Sequence, residues 1–105
     1  MGAEPIGVLI VNDSPVAGQT IRRILLGDPR YRVIGIAPDG FEAERIVRTQ
    51  PVDLVLMDIH MPGMNGVEAT RRIMAIRALP ILIVTATVTR NESSTPITLR
   101  VTKSA

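Results

Sequence analysis

Three polar side chains stand at the ends of apolar runs, and their types suit phosphoryl chemistry. Asp13 follows Val8-Leu9-Ile10-Val11, Asp58 follows Leu54-Val55-Leu56-Met57, and Thr85 follows Ile81-Leu82-Ile83-Val84. A carboxylate can attack phosphorus and form an acyl phosphate. Two carboxylates brought close together repel, and burial sharpens the repulsion. A hard divalent cation relieves it, and oxygen ligands with positions left to water suit Mg²⁺. The metal would neutralise oxygens of the transferring group, and a threonine hydroxyl could bond one of them. Taken singly, each residue has a plainer explanation. An aspartate ending a strand is ordinarily a cap or a turn former, Asp13 lies beside a helix start, and threonine is common in strands. Asp58 resists that explanation most, because Met61-Pro62-Gly63-Met64-Asn65-Gly66 follows it closely. It is the combination at three strand ends that points to a shared site.

Such a site needs a scaffold that brings the three ends to one edge. The chain alternates short apolar runs with longer amphipathic segments. After the first strand, Ser14-Pro15 opens a helix, a capping residue followed by a proline whose missing N–H does no harm there. Ala17, Ile21, Ile24 and Leu25 mark its apolar face, and Gly27-Asp28-Pro29 stops it. Tyr31 to Ala37 reads as a second strand and Pro38-Asp39-Gly40 as a turn. Phe41 to Arg48 is a second helix with Ala43, Ile46 and Val47 inward, ended by Gln50-Pro51. Asp53 to Met57 is a third strand, Asp58 to Asn65 a loop, and Gly66 to Ala78 a third helix with Val67, Thr70 and Met74 on one face. Pro80 precedes a fourth strand, Ile81 to Val84. All eight prolines fall at boundaries or in loops. Strands apolar along their whole length, alternating with helices, predict an α/β fold with a parallel sheet covered on both faces and right-handed crossovers. In such sheets ligands bind beyond the carboxyl ends of the strands. The first and third strands are expected to be neighbours, so Asp13 and Asp58 should face each other across a crevice.

Composition narrows the function classes. The 105 residues make one domain at most, with an ordinary 46% hydrophobic and 21% charged residues. Phe41 and Tyr31 are the only aromatics, so the core is aliphatic and base-stacking surfaces are not expected. Net charge is +2, and the arginines are dispersed rather than blocked together, which argues against direct nucleic-acid binding. Cysteine is absent, so disulfides and thiolate chemistry are excluded. No signal peptide or membrane span is legible, and a cytoplasmic protein is expected. Asn91-Glu92-Ser93 forms a sequon that we read as chance. His60 reads as a surface loop residue, and Met57, Met61, Met64 and Met74 as packing. Phosphate-cradling glycine motifs are missing, which counts against a nucleotide- or flavin-binding protein of similar topology. A G-x-S-x-G elbow is missing too.

From about Gly7 to Ala86 the chain resembles the receiver domains of response regulators in two-component signalling. Val8 to Ser14 (VLIVNDS) is similar to the family's first strand and acidic cluster. Leu54 to Gly66 (LVLMDIHMPGMNG) is similar to the strand and loop around its phosphoacceptor, and Ile83 to Ala86 to the segment with its switch hydroxyl. Asp13-Ser14-Pro15-Val16 is similar to receivers that precede chemotaxis methylesterase domains. The resemblance implies a flavodoxin-like sheet of order 2-1-3-4-5. It implies phosphorylation of Asp58 by a sensor histidine kinase, switching contacts with an effector domain or protein. It implies Mg²⁺ held by Asp13, Asp58 and the backbone carbonyl of His60, with Thr85 as the switch hydroxyl.

Two departures shape the expectations. The family usually has two acidic residues after its first strand, and here the first is Asn12, which would act on the metal through water. One carboxylate fewer should weaken Mg²⁺ binding. A phosphorylation-impaired receiver acting as a constitutive binding module is the alternative. The family also continues past its fourth strand with a helix, a fifth strand ending in a lysine and a last helix. Here residues 1–86 read as the receiver core and 87–105 as an atypical Ser/Thr-rich tail, in which only Ile97 to Val101 reads as a strand. Lys103, the one lysine, follows it and is a doubtful counterpart of the family lysine. A parallel return needs a crossover of roughly a dozen residues or more, and Thr87 to Pro96 is shorter and lacks a helical face. An antiparallel hairpin is easier and would put Lys103 at the wrong end of the sheet. Without it, Ile81 to Val84 would be an open edge inviting a homodimer.

Overall fold

The computed structural model describes residues 4–58, 61, 65–88 and 97–104, with the backbone alone from 85 onward. The elements run β1 (Ile6–Val11), α1 (Pro15–Leu26), β2 (Tyr31–Ala37), α2 (Gly40–Thr49), β3 (Leu54–Met57), α3 (Gly66–Ile76), β4 (Ile81–Val88) and β5 (Ile97–Ser104). They form one sheet of order β2-β1-β3-β4-β5. The first four strands are parallel, as their uniform apolarity requires. β1 is buried between β2 and β3, and Val8 to Val11 are fully buried.

Each helix begins where a side chain accepts the first free amide. Ser14 Oγ accepts from Ala17 N at 3.2 Å, Asp39 from Glu42 N at 2.8 Å and Asn65 from Glu68 N at 2.9 Å. The helices cover opposite faces of the sheet. Leu9, Val11, Val55, Met57 and Ile81 pack with Ala43 and Val47 of α2 and Ala69 and Ile73 of α3. Val8, Ile10 and Val84 pack with Ile21 of α1. At one point the sheet demands glycine: a Cβ on Gly7 would stand 3.0 Å from the carbonyl oxygen of Pro51. The Asp53 carboxylate accepts from Gly7 N at 2.8 Å, and Asp53 N donates to Gly7 O at 2.8 Å, so β1 and the start of β3 are clipped together.

Two helix faces differ from the sequence reading. Val67 is 56% exposed and Met74 39% exposed, so theirs is not the buried face of α3. The buried stripe is Gly66, Ala69 and Ile73, whose small residues let α3 lie close against α2. On α1, Ala17 and Ile21 are buried and Leu25 packs beside them, but Ile24 is 57% exposed. The second helix follows its expected face, with Ala43 and Val47 fully buried and Ile46 packed against them.

Beyond β4 the chain turns back. β5 pairs antiparallel with β4 from Ile81↔Ser104 to Val88↔Ile97. The parallel sheet therefore ends at β4, and the family's parallel fifth strand is replaced by the return arm of a hairpin. The connecting residues 89–96 are too few for a crossover helix. β4 extends four residues past the expected end at Val84, so the boundary drawn after residue 86 falls inside a strand. β5 likewise runs to Ser104 rather than Val101. β5 takes the antiparallel hairpin arrangement that was expected to be easier, so the edge of β4 is covered and the outer edge is that of β5. At the opposite margin, Val8 pairs with Val33 but Leu9 with Gly35, so the register slips and Ile34 has no counterpart on β1.

Candidate functional site

The ends of three strands are tied together where the candidate site lies. Asp58 N donates to Val11 O at 2.8 Å, and Asn12 N donates to Ala37 O at 2.9 Å. The first bond continues the β1–β3 ladder, Val11↔Met57, by one step. Asp58 is thus held by its own backbone against the last residue of β1, one residue from Asn12 and two from Asp13. Its side chain is half-buried, and that of Asp13 is exposed. The expected juxtaposition of the first and third strand ends is what the backbone shows.

Asn12 plays a part that the sequence reading missed. Its side chain is 4% exposed, and its Oδ1 accepts from Ser14 N at 2.9 Å. This closes an Asx turn that carries the chain from β1 into the cap of α1 and turns Asp13 outward. The signal was present as Asn12-Asp13-Ser14-Pro15, because an Asn two residues before a helix cap braces such a turn. That amide oxygen is already committed to the turn. A water-mediated contact to a metal would have to share it.

Past Asp58, Met61 is buried and joins the core under α2 and α3. Fully buried Met57 packs there too, whereas Met74 is largely outside the core. His60 and Pro62 to Met64 lie outside the described residues, as does any metal-ligating role for the His60 carbonyl. The side chains of Thr85 and Lys103 lie outside them too. Their backbones are placed: Thr85 pairs with Arg100, and Lys103 pairs with Leu82, the residue opposite Leu56. Thr85, expected at the end of the fourth strand, lies within it because β4 runs on to Val88, and Lys103 sits three residues farther back along β4. Among the described residues no group of three or more acidic or histidine side chains is arranged so that it could hold a metal ion. No described helix is long and apolar enough to cross a membrane.

The sequence pattern of the response regulator receiver domain matches residues 8–102. The chain belongs to that family. Among its relatives, protein-glutamate methylesterase/protein-glutamine glutaminase 2 of Burkholderia lata is 51% identical over 85 residues, which are 81% of this receiver and 25% of that protein. The receiver spans about a quarter of the length of the curated relatives it matches. The solved response regulator domain of Thermotoga maritima CheB superposes with a TM-score of 0.68 at 36% identity, covering 73% of this chain and 57% of that one. A CheX-CheY-BeF3-Mg+2 complex from Borrelia burgdorferi gives a TM-score of 0.66 at 32% identity, covering 70% and 55%. The four parallel strands and three helices of this receiver are therefore the family's own arrangement, and the hairpin at its far margin is the departure.

Proposed function

We propose that this receiver accepts a phosphoryl group on Asp58 from a sensor histidine kinase and so switches contacts with an effector domain or protein. The observation that carries the reading is the bond from Asp58 N to Val11 O, 2.8 Å long, which fixes the carboxylate-bearing backbone beside Asn12 and Asp13. An Asp58 oxygen would attack phosphorus as the phosphorus–nitrogen bond to the kinase imidazole breaks, and the imidazole would take up a proton. Two carboxylates at adjoining strand ends, with solvent access at Asp13, form a donor set that fits a hard cation. Asp13, Asp58 and the His60 carbonyl would hold Mg²⁺, with Asn12 reaching it through water and Thr85 bonding a phosphoryl oxygen. The ion would supply charge neutralisation on the transferring oxygens. The relation to the Borrelia complex, which contains BeF3 and Mg+2, supports this donor set. The similarity to methylesterases supports a place in chemotaxis.

The test is incubation with acetyl phosphate and Mg²⁺, with Asp58→Asn as control. Labelling of the parent and loss in the variant are expected. Equal labelling of both would remove Asp58 from the role.

A second reading, a binding module with impaired phosphotransfer, is favoured by two observations. The Asn12 amide stands where a carboxylate would help hold the metal, and its oxygen is engaged by Ser14 N. Lys103 pairs back at Leu82. In that reading partners bind constitutively, and absence of labelling in the parent would select it. A second copy of the chain, added along the outer edge of β5, is a further proposed partner.

A further inference from the structure

We infer that the groove between α2 and α3 docks an acidic segment of a partner protein, independently of phosphotransfer. Phe41, Glu44, Arg45 and Arg48 recur along one stripe of α2 at helical spacing, and Arg72 of α3 faces them. Together they line a cavity of about 330 Å³. Three guanidinium groups and one carboxylate line it, and Glu42 and Glu68 pair with two of the arginines from outside that lining. Glu44 holds Arg48 at 3.2 Å and Arg72 at 3.3 Å, which keeps two of the cations side by side. Arg72 also reaches Glu68 at 3.5 Å and stacks on Phe41, with its guanidinium carbon 5.5 Å from the ring centroid. Arg45 is paired with Glu42 on the same helix.

The arginine of each of these pairs is exposed although Glu44 is half-buried, and pairs open to solvent are weak enough to exchange for a partner's carboxylates. Arginine forks bind carboxylates bidentately, which gives such an exchange its geometry. Phe41 adds an apolar anchor: it is 59% exposed although it is the only phenylalanine in the chain. It is also the second residue of α2, so the apolar end of the groove lies at the carboxyl edge of the sheet, the edge that bears Asp13 and Asp58. A polynucleotide fits less well. Its evenly spaced phosphates would meet Glu42, Glu44 and Glu68 as well as the arginines, whereas a peptide can space its carboxylates to the three cations.

The probe is a capped hexapeptide of sequence Glu-Leu-Glu-Glu-Leu-Glu, titrated into the full isotope-labelled chain while backbone amide shifts are followed. Shifts confined to Phe41–Arg48 and Glu68–Arg72 are expected, with none from the Lys-for-Glu peptide. Raising salt from about 50 to about 200 mM should weaken binding. The double variant Arg45→Gln/Arg48→Gln and, separately, Phe41→Ala should each weaken it about fivefold or more. Unchanged β1 and β3 amides would show that the variants remain folded. The inference is overturned by three outcomes: no localised shifts at millimolar peptide, unchanged affinity in both variants, or phosphatidylserine vesicles or a single-stranded oligonucleotide producing the same shifts at lower concentration.

Discussion

Replacing Ile73 by Ala should cost far more stability than replacing Met74 by Ala, although the two are neighbours on α3 and similar in size. Ile73 is fully buried and packs in the cluster that joins α3 to β1, β3 and α2. Ile73→Ala deletes three carbons from that site, worth about 2.4 kcal/mol at about 0.8 kcal/mol per buried methylene. The cavity left behind adds to this, because close-packed helices relax only in part, and the total should reach about 3–4 kcal/mol. Met74 is 39% exposed, so Met74→Ala loses only part of its contacts and should cost about 1 kcal/mol or less. A domain of this size holds about 5–15 kcal/mol in all, so the first variant sits near the edge of folding and the second does not. The chain has no Trp. Urea unfolding followed by far-ultraviolet circular dichroism is therefore the assay, with slopes compared to exclude a change in the unfolded state. In melting temperature, the Ile73 variant should fall by more than about 12 °C, at about 4 °C or more per kcal/mol. Equal losses, or a larger loss for Met74→Ala, would refute the burial assigned to the two faces of α3.

Other perturbations probe separate parts of the molecule. Asn12→Asp keeps an acceptor for Ser14 N but adds a third carboxylate at a buried position; without Mg²⁺ it should melt lower than the parent, and it should gain more in melting temperature when Mg²⁺ is added. An equal Mg²⁺ response in parent and variant would count against the proposed ligands. Asp53→Ala removes the acceptor of Gly7 N and should cost about 1–2 kcal/mol by urea unfolding, and a neutral result would show the clip to be dispensable. The Arg30 guanidinium holds the Asp28 carboxyl down at about 2 from its ordinary 3.8. A depressed carboxyl stabilises the fold above its unfolded value, so this contribution is present above pH 3.8 and fades as pH falls toward about 2. Arg30→Ala should return the Asp28 titration, read by carboxyl carbon shifts, toward 3.8, and an unmoved titration would assign the shift to another cause.

Much of the fold could be read because apolar runs and turn residues agreed at each boundary. The four parallel strands and the three helices lie between such runs, and Ser14 caps α1 as read, whereas Asp39 and Asn65, read only as turn and loop residues, prove to be the caps of α2 and α3. The buried face of α3 was missed because size and apolarity were taken as the signal. Gly66 and Ala69 are small, and their value lies in permitting close approach to α2, which only the packed fold reveals. The length of β4 was missed because Thr85 to Val88 looks polar in sequence, yet its β-branched residues suit a strand once β5 lies alongside. The antiparallel direction of that return was legible from the short connection alone. In the candidate site, the adjoining positions of Asp13 and Asp58 followed from the apolar runs that precede them. The turn made by Asn12 did not, because Asn12 was weighed as a missing carboxylate rather than as an amide that braces its own backbone.

The two margins of the sheet are unequal, and this bears on how many copies an assembly could contain. The β2 margin carries the slip at Ile34, and an extra residue of this kind bends a strand and spoils it as a template. The β5 margin is regular over all eight of its paired residues. Were two chains to join through β5, a two-fold axis would set the strands antiparallel, and each chain would spend its single regular margin on the other. What remained at both ends would be the irregular β2. Growth would then stop at two, and the same asymmetry that invites a partner would bar a fibre.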